Sequence, residues 1–444
     1  METPTAGHAE HGPQMRSYCQ AVVALVFALT MWWYFERVLI PYQVADAASH
    51  GHPRGNLSDL YPRWYGTKAL LLEGRDPYSA EVTREIQKGV YGRVLDPIRP
   101  TDPKDEQRFA YPLYVIFLLA PTIQWPFPAV QRGFSIVLCC LSVVSVFFWF
   151  AVLRWRPSVP TAATASVLFF GALPFVQGIK LDQLTLAVSG FIAAGMAALT
   201  AGFPMVAGLL LAVATVKPHL VALLISGLLF WSLNNRAEGR RFLLGFFVAL
   251  FVLIGGAYLA HPGWVREFLL GLRAYQRYTA NESILDVFAG KTIGAFFSGI
   301  VVLLTARAWW LFRNHEVGST VFQTAIALTL SATVVVIPTI ATYNEVLLLP
   351  GILLLVRDWQ WMRLKTRLAA GIYGLLAVAV CWPWLAAVGL AASSVFLSAT
   401  ALQQKYTLPF FSSFALPVIA FIVLALYLEK LVAVRNNSHR GRPA

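Results

Sequence analysis

Apolar blocks of membrane-spanning length recur along almost the whole chain, and no other feature restricts its fold as strongly. Crossing about 30 Å of hydrocarbon on a helix takes roughly 17–25 apolar residues. Blocks of that kind lie near 20–40, 111–127, 134–153, 160–178, 183–200, 204–232, 242–260, 288–312, 319–340, 345–357, 368–391 and 407–432. Hydrocarbon offers backbone N–H and C=O groups no partner, so segments that cross it as single spans close their own hydrogen bonds as helices. The expectation is an all-α, polytopic membrane protein of about twelve transmembrane helices. Charge supports it: only 13% of the 444 residues are charged against 57% hydrophobic, too few to coat soluble domains of this total length. The block 204–232 contains Lys217-Pro218 and is expected to kink or split, because proline removes a helical hydrogen bond. The block 345–357 is short enough for a partial span.

Net charge is +13, which in a soluble protein points to nucleic acid. Here the basic residues are scattered rather than clustered with aromatics, and they follow the positive-inside pattern. With the N-terminus inside, the runs Asn234 to Arg241, Arg357 to Arg367 and Arg435 to Arg442 all fall on the cytoplasmic side, and only Arg154 and Arg156 violate the parity. Both termini are expected in the cytoplasm, as tails 1–18 and 433–444 flanking a single transmembrane domain 19–432, in a bacterial inner membrane. Cys19, Cys139, Cys140 and Cys381 lie in or beside apolar runs, without disulfide or metal-ligand spacing, and read as packing residues.

One segment interrupts the hydrophobic rhythm. Residues 41–110 hold ten acids and ten bases, so their net charge is zero, and they are far longer than an ordinary connector. An ordered extracytoplasmic loop is predicted. Tyr61 to Glu73 has helical apolar spacing with Gly74 as its stop, and Ser58 or Asp59 as candidate cap. A second helix is expected from Ser79 to Gly89, entered through Asp76-Pro77. Both read as amphipathic helices on the membrane surface. Smaller loops, 261–286 and 391–407, share that side. There is no evident internal repeat.

The stretch Asp59-Leu-Tyr61-Pro-Arg-Trp-Tyr65, followed by Ala69-Leu-Leu-Leu-Glu-Gly74-Arg-Asp76-Pro77-Tyr78, resembles the first extracytoplasmic loop of glycosyltransferase family 87. Shorter likenesses are Tyr111-Pro112, Pro174 with Gln177-Gly178, Lys217-Pro218, and Pro338 to Pro350 with Tyr343 before Leu347-Leu-Leu-Pro350. The family usually reads Gly-Gln where this chain has Gln177-Gly178 and then Asp182-Gln183. The resemblance implies a GT-C fold and a hexosyltransferase, with mannose the expected sugar, a polyprenyl-phosphate donor, and a lipid or glycan acceptor among membrane lipids. It implies Asp59 as the catalytic carboxylate.

Chemistry agrees with one carboxylate. Inverting transfer from a lipid phosphate needs a base for the acceptor hydroxyl, whereas the leaving phosphate needs cations or N–H donors rather than an acid. The competing reading of Asp59 is a helix N-cap, whose carboxylate would be a weaker base. Candidate donor-phosphate or substrate contacts are Arg63, Lys68, Lys217, Arg273, Arg277, Tyr343 and Glu345, with Lys291 a further cation. Arg63 also reads as a surface ion pair with Asp59, and Lys217 as a partner of Asp182 or Glu345. Arg273 and Arg277 also read as interfacial anchors, and Glu345 as a helix N-terminal charge. His219 and His261 read as packing residues. No Asp-x-Asp pair appears on the outer side, and Asp102 and Asp105 lie in a charged linker, so neither metal nor cofactor is expected. Two further readings are a lipid or solute transporter without covalent chemistry and an assembly subunit whose loop binds a partner.

Overall fold

The structure is a computed structural model that describes residues 11–51, 58–278, 281–313, 315–359 and 367–440. The ends of both expected tails, 1–10 and 441–444, and part of the basic run 357–367 lie outside the described residues. All regular structure among the described residues is helix, without strands. Six described helices are long and apolar enough to cross a membrane: Tyr18–Ser49, Phe127–Val152, Arg236–Ala260, Lys291–Phe312, Ala370–Ser393 and Ala399–Val434. A seventh is the pair Val159–Phe170 and Leu173–Lys180, bent by 52°, if taken as one span. The protein is a multi-pass, membrane-embedded α-helical protein.

The other expected spans are shorter apolar helices: Leu113–Thr122, Leu184–Thr200, Pro204–Ala214, Pro218–Asn234 and Thr320–Val336, with Leu349–Arg357 shorter still. Two of them are the most enclosed. Leu184–Thr200 and Thr320–Val336 are buried along most of their length, as helices apolar all round must be. Seventeen residues rise only about 26 Å, the short end of what a crossing needs, and both helices hand over to non-helical turns inside the protein. The predicted break at Lys217-Pro218 is present, between Pro204–Ala214 and Pro218–Asn234.

Close packing of the first half-helix depends on missing side chains. A Cβ on Gly208 would lie 2.3 Å from the Phe242 carbonyl oxygen, and one on Gly245 would lie 2.1 Å from that of Met205. Two backbones therefore touch where Pro204–Ala214 crosses Arg236–Ala260, as small residues allow in membranes.

Several boundaries correct the sequence reading. Helix already begins at His11, inside the expected tail 1–18, and at the other end it runs to Arg440, inside 433–444. Extending a formed helix costs far less than starting one. The first helix does not stop at 40 but continues to Ser49, so the loop begins later than residue 41. Pro41 should clash with the carbonyl of Arg37, and a single π-helical turn over Phe35–Leu39 absorbs that conflict.

Both loop helices exist, at Tyr61–Glu73 and Ala80–Tyr91. Gly74, in the left-handed conformation at φ 64°, ends the first, while Arg75 N–H reaches back to the Ala69 carbonyl at 3.0 Å. Ser79 caps the second by accepting from the Val82 N–H at 3.2 Å. The second helix does not offer an open apolar face to a membrane surface. Val82, Ile86 and Val90 are buried in a small core with Ala69 of the first helix, because its apolar stripe is covered by that neighbour.

Candidate active site

Non-helical breaks bring the polar residues together. The turn before Tyr61, the turn between Lys180 and Leu184, the break at Lys217 and the segment after Val336 converge on one cavity of about 240 Å³. Its walls carry Asp59, Arg63, Gln183, Lys217, Tyr343 and Asn344, and Asp105, Tyr111, His219 and Tyr275 are among the further polar residues that line it. Gln183 is the residue before Leu184–Thr200, and Lys217 the residue before Pro218–Asn234, so two helix starts face the same space. The unpaired N–H groups and dipoles of helix starts favour an anion there.

Asp59 is half-buried and does not cap its helix. The helix start at Leu60 receives no side-chain cap, and Tyr61 N–H instead donates to the Ser58 carbonyl at 2.9 Å. The capping reading of Ser58 and Asp59 is therefore overturned: Leu60 already has helical angles, so the chain enters without a cap. Freed from that role, the Asp59 carboxylate accepts a hydrogen bond from the Gln183 side-chain amide. Its backbone N–H is fixed by the Leu181 carbonyl at 3.0 Å, which ties the loop to the turn carrying Gln183.

Lys217 is buried and closes the other side of this relay. Its ammonium donates to Gln183 Oε1 and to Thr185 Oγ1, both at 2.8 Å. It sits 5.2 Å from the Tyr343 ring centre and 5.8 Å from that of Tyr111. Thr185 in turn donates to Asn344 Oδ1 at 3.2 Å. Pairing of Lys217 with Asp182 or Glu345 is not what the structure shows: the Asp182 carboxylate accepts from Ser135 instead. An ammonium has three N–H donors, and two are used here, leaving one for a ligand.

Arg63 does not form the expected surface ion pair. Its guanidinium donates to the backbone carbonyl of Asp59 and stacks over the Tyr111 ring at 4.5 Å. Arg63 and Lys217 thus share one aromatic platform and set two positive charges beside the Asp59 carboxylate. The mouth holds a second carboxylate, Asp105, which keeps solvent access while protein crowds its other sides. Burial pushes its carboxyl up from the ordinary range, the Gln107 N–H opposes this, and the charge of Asp59 adds to it.

Backbone strain marks the same place. Among the described residues, Gln107, Arg154, Asp182 and Asn281 have positive φ without being glycine. Gln107 and Asn281 line the cavity, and Asp182 at φ 47° precedes Gln183. The chain matches no family model, no curated protein and no solved structure. The likeness to glycosyltransferases therefore rests on the residues quoted above.

The remaining candidates stand apart. Lys68 lies 5.7 Å over the Trp64 ring and does not line the cavity, since it sits a full turn and more beyond Arg63. Arg273 is exposed on the opposite side of its helix from Tyr275, and the side chain of Arg277 lies outside the described residues. Lys291 pairs with Glu282 at 3.7 Å. Glu345 is buried but lines two neighbouring cavities rather than this one. Gln183, Asn344 and Tyr275 stand inside motifs that the sequence singles out but carry no role of their own there, and Thr185 and the part played by Asp105 emerge only in the structure. The available signal was position: Gln183 and Lys217 each occupy the last non-helical place before an apolar helix.

Proposed function

We propose that the protein is a membrane glycosyltransferase of GT-C type, with about twelve crossings, cytoplasmic termini and an extracytoplasmic active site. It transfers a hexose, with mannose the first choice, from a polyprenyl-phosphate donor to a lipid or glycan acceptor. One observation carries this reading: the Asp59 carboxylate shares a cavity with Arg63 and Lys217 and is linked to Lys217 through Gln183.

In this mechanism the acceptor hydroxyl gives its proton to Asp59 as its oxygen attacks C1 of the sugar. The C1–O bond to phosphate breaks, its electron pair leaves with the phosphate, and configuration inverts. Lys217, Arg63 and the two helix starts stabilise the charge that gathers on the leaving phosphate. No acid is needed for a leaving group that is already a stable anion. Gln183 holds Asp59 in place without competing for its charge.

A route for the donor's apolar tail adjoins the site. A second cavity of about 330 Å³ shares Thr339 and Asn344 with the first. It shares Glu345 with an apolar groove of about 630 Å³ lined by residues such as Phe27, Leu168, Leu349 and Trp384. A prenyl chain fits such a lining, and the phosphate would then lie at the polar end.

The test is transfer from radiolabelled polyprenyl-phosphate-mannose to a membrane-lipid extract by purified protein. Asp59→Asn should lower the rate by about 10²–10⁴, the usual contribution of a general base. A folded Asp59→Asn protein that transfers as well as wild type removes Asp59 from the mechanism. Wild type inert with every polyprenyl-phosphate sugar tried would favour the transporter instead.

A further inference from the structure

Outside the cavity, one described cluster joins a histidine to two carboxylates. Asp76, His261 and Glu267 each bring one potential ligand atom within 4.8 Å of the others. His261 Nε2 lies 2.5 Å from Glu267 Oε2 and 3.6 Å from Asp76 Oδ1. The three residues come from two segments far apart in sequence: Asp76 from the turn between the loop helices, His261 from the corner after Arg236–Ala260, and Glu267 from the first turn of Trp264–Tyr278 that follows it. The sequence reading took His261 as a lone packing residue, and this convergence overturns it.

Two of the ligands are held in place by nearby backbone groups. Asp76 Oδ1 accepts from the Tyr78 N–H at 2.8 Å, and the Asp76 carbonyl accepts from Ser79 at 3.2 Å. His261 N–H donates to Ala257 at 2.9 Å, and its carbonyl accepts from Trp264 at 3.2 Å. Gly263 makes room for the carboxylate: a Cβ there would stand 3.0 Å from Glu267 Oε1. All three side chains are only partly exposed, at 23% for His261 and 32% for each carboxylate. Two carboxylates thus converge on one imidazole nitrogen, the arrangement a cation can join.

We propose that Asp76, His261 and Glu267 bind one divalent cation of the zinc class, with a remaining position open to water. One imidazole nitrogen and two carboxylate oxygens are a donor set suited to zinc. Ligand bonds of about 2.0–2.2 Å in tetrahedral array separate ligand atoms by roughly 3.4 Å. The 3.6 Å pair already fits, and the 2.5 Å pair must open by about 1 Å, within reach of a rotation of the Glu267 side chain.

Such a cation fastens together two pieces of the cavity frame. Next to Asp76, Tyr78 donates its hydroxyl to the Tyr111 carbonyl at 2.7 Å, and Tyr111 is the platform under Arg63. Next to Glu267, Phe268 lines the cavity, and Trp264 meets Tyr114 edge-on at 5.9 Å. The cation's role is to hold the Trp264–Tyr278 helix against the loop, outside the reacting groups.

The test measures zinc itself, on full-length protein in detergent after treatment with chelator, in competition with a chromophoric chelator. Wild type should bind one zinc per chain. His261→Ala should abolish that binding, and the nearly isosteric Asp76→Asn and Glu267→Gln should each weaken it at least tenfold. Zinc should also raise the unfolding temperature of wild type but not of His261→Ala. Failure of wild type to bind stoichiometric zinc overturns the proposal, as does unchanged affinity in all three variants. Neither outcome touches the transferase reading, which the Asp59 assay decides.

Discussion

Gln183 accepts the Lys217 ammonium on its amide oxygen at 2.8 Å and turns its amide nitrogen to the Asp59 carboxylate. The residue between the cation and the anion is neutral, so the opposite charges are joined but not neutralised by direct contact. A direct ion pair would hold both groups against each other; the relay leaves each with capacity for a ligand.

Gln183→Leu should therefore leave the buried Lys217 ammonium short of one of its two hydrogen-bond acceptors, with Thr185 remaining. The expected loss is about 1–3 kcal/mol of stability, the cost of an unmet buried polar group. Adding Lys217→Met should recover part of it, because the double variant leaves less unpaired charge. Denaturation of the two single variants and the double variant in detergent checks this; additive losses would show that the two side chains are not coupled.

Arg63→Lys tests the shared aromatic platform. A lysine keeps the charge but cannot both stack flat on Tyr111 and reach the Asp59 carbonyl. Under the transferase reading the rate should fall about tenfold, the value of one charge-assisted hydrogen bond to the leaving phosphate of about 1.5 kcal/mol, and stability should fall by about 0.5–1.5 kcal/mol for the lost bond to the carbonyl. A variant with the full rate would show that Arg63 contributes charge alone.

The loop has an acid latch. Asp102 accepts from both terminal nitrogens of Arg93 and from the Asp96 N–H at 2.8 Å. The Arg93 hydrogen bond holds its carboxyl well below the usual carboxylate range. A folded-state value below the unfolded one stabilises the fold above the ordinary aspartate value of about 3.9 and is lost as pH falls further. The unfolding temperatures of wild type and Asp102→Asn should differ by a constant amount from pH 8 to 5 and converge at strongly acid pH. A gap that widens toward acid would reverse the sign and refute the latch.

Gly245→Val should separate two helices that touch through their backbones, since even a Cβ would fall 2.1 Å from the Met205 oxygen. Overpacking of this kind costs about 1–3 kcal/mol. Gly255→Val, on the same helix with no atom within 4 Å of its Cβ position, is the control. Equal destabilisation by both would assign the effect to helix propensity rather than to the crossing.

What the sequence determined by itself follows from solvent and period. Apolar blocks too long for a soluble core called for helices, and the structure places helix in each of them. Pro218 called for the break at Lys217, and Gly74 for the end of the first loop helix. These are local effects, set by backbone chemistry within a few residues. The length of each helix was not local: Leu184–Thr200 and Thr320–Val336 are short and enclosed by other helices, whereas Tyr18–Ser49 runs on past Pro41 through a π-turn. Tertiary structure alone decided which polar residues meet. Lys217 could have paired with Asp182 or Glu345 by charge; it meets Gln183 and Thr185 instead, because a strained turn at Asp182 aims Gln183 inward while the Asp182 carboxylate goes to Ser135. Asp59 could have capped its helix, and Arg63 could have paired with its carboxylate. The packing of two helix starts against the loop assigned that carboxylate to Gln183 and left Arg63 on the Tyr111 ring.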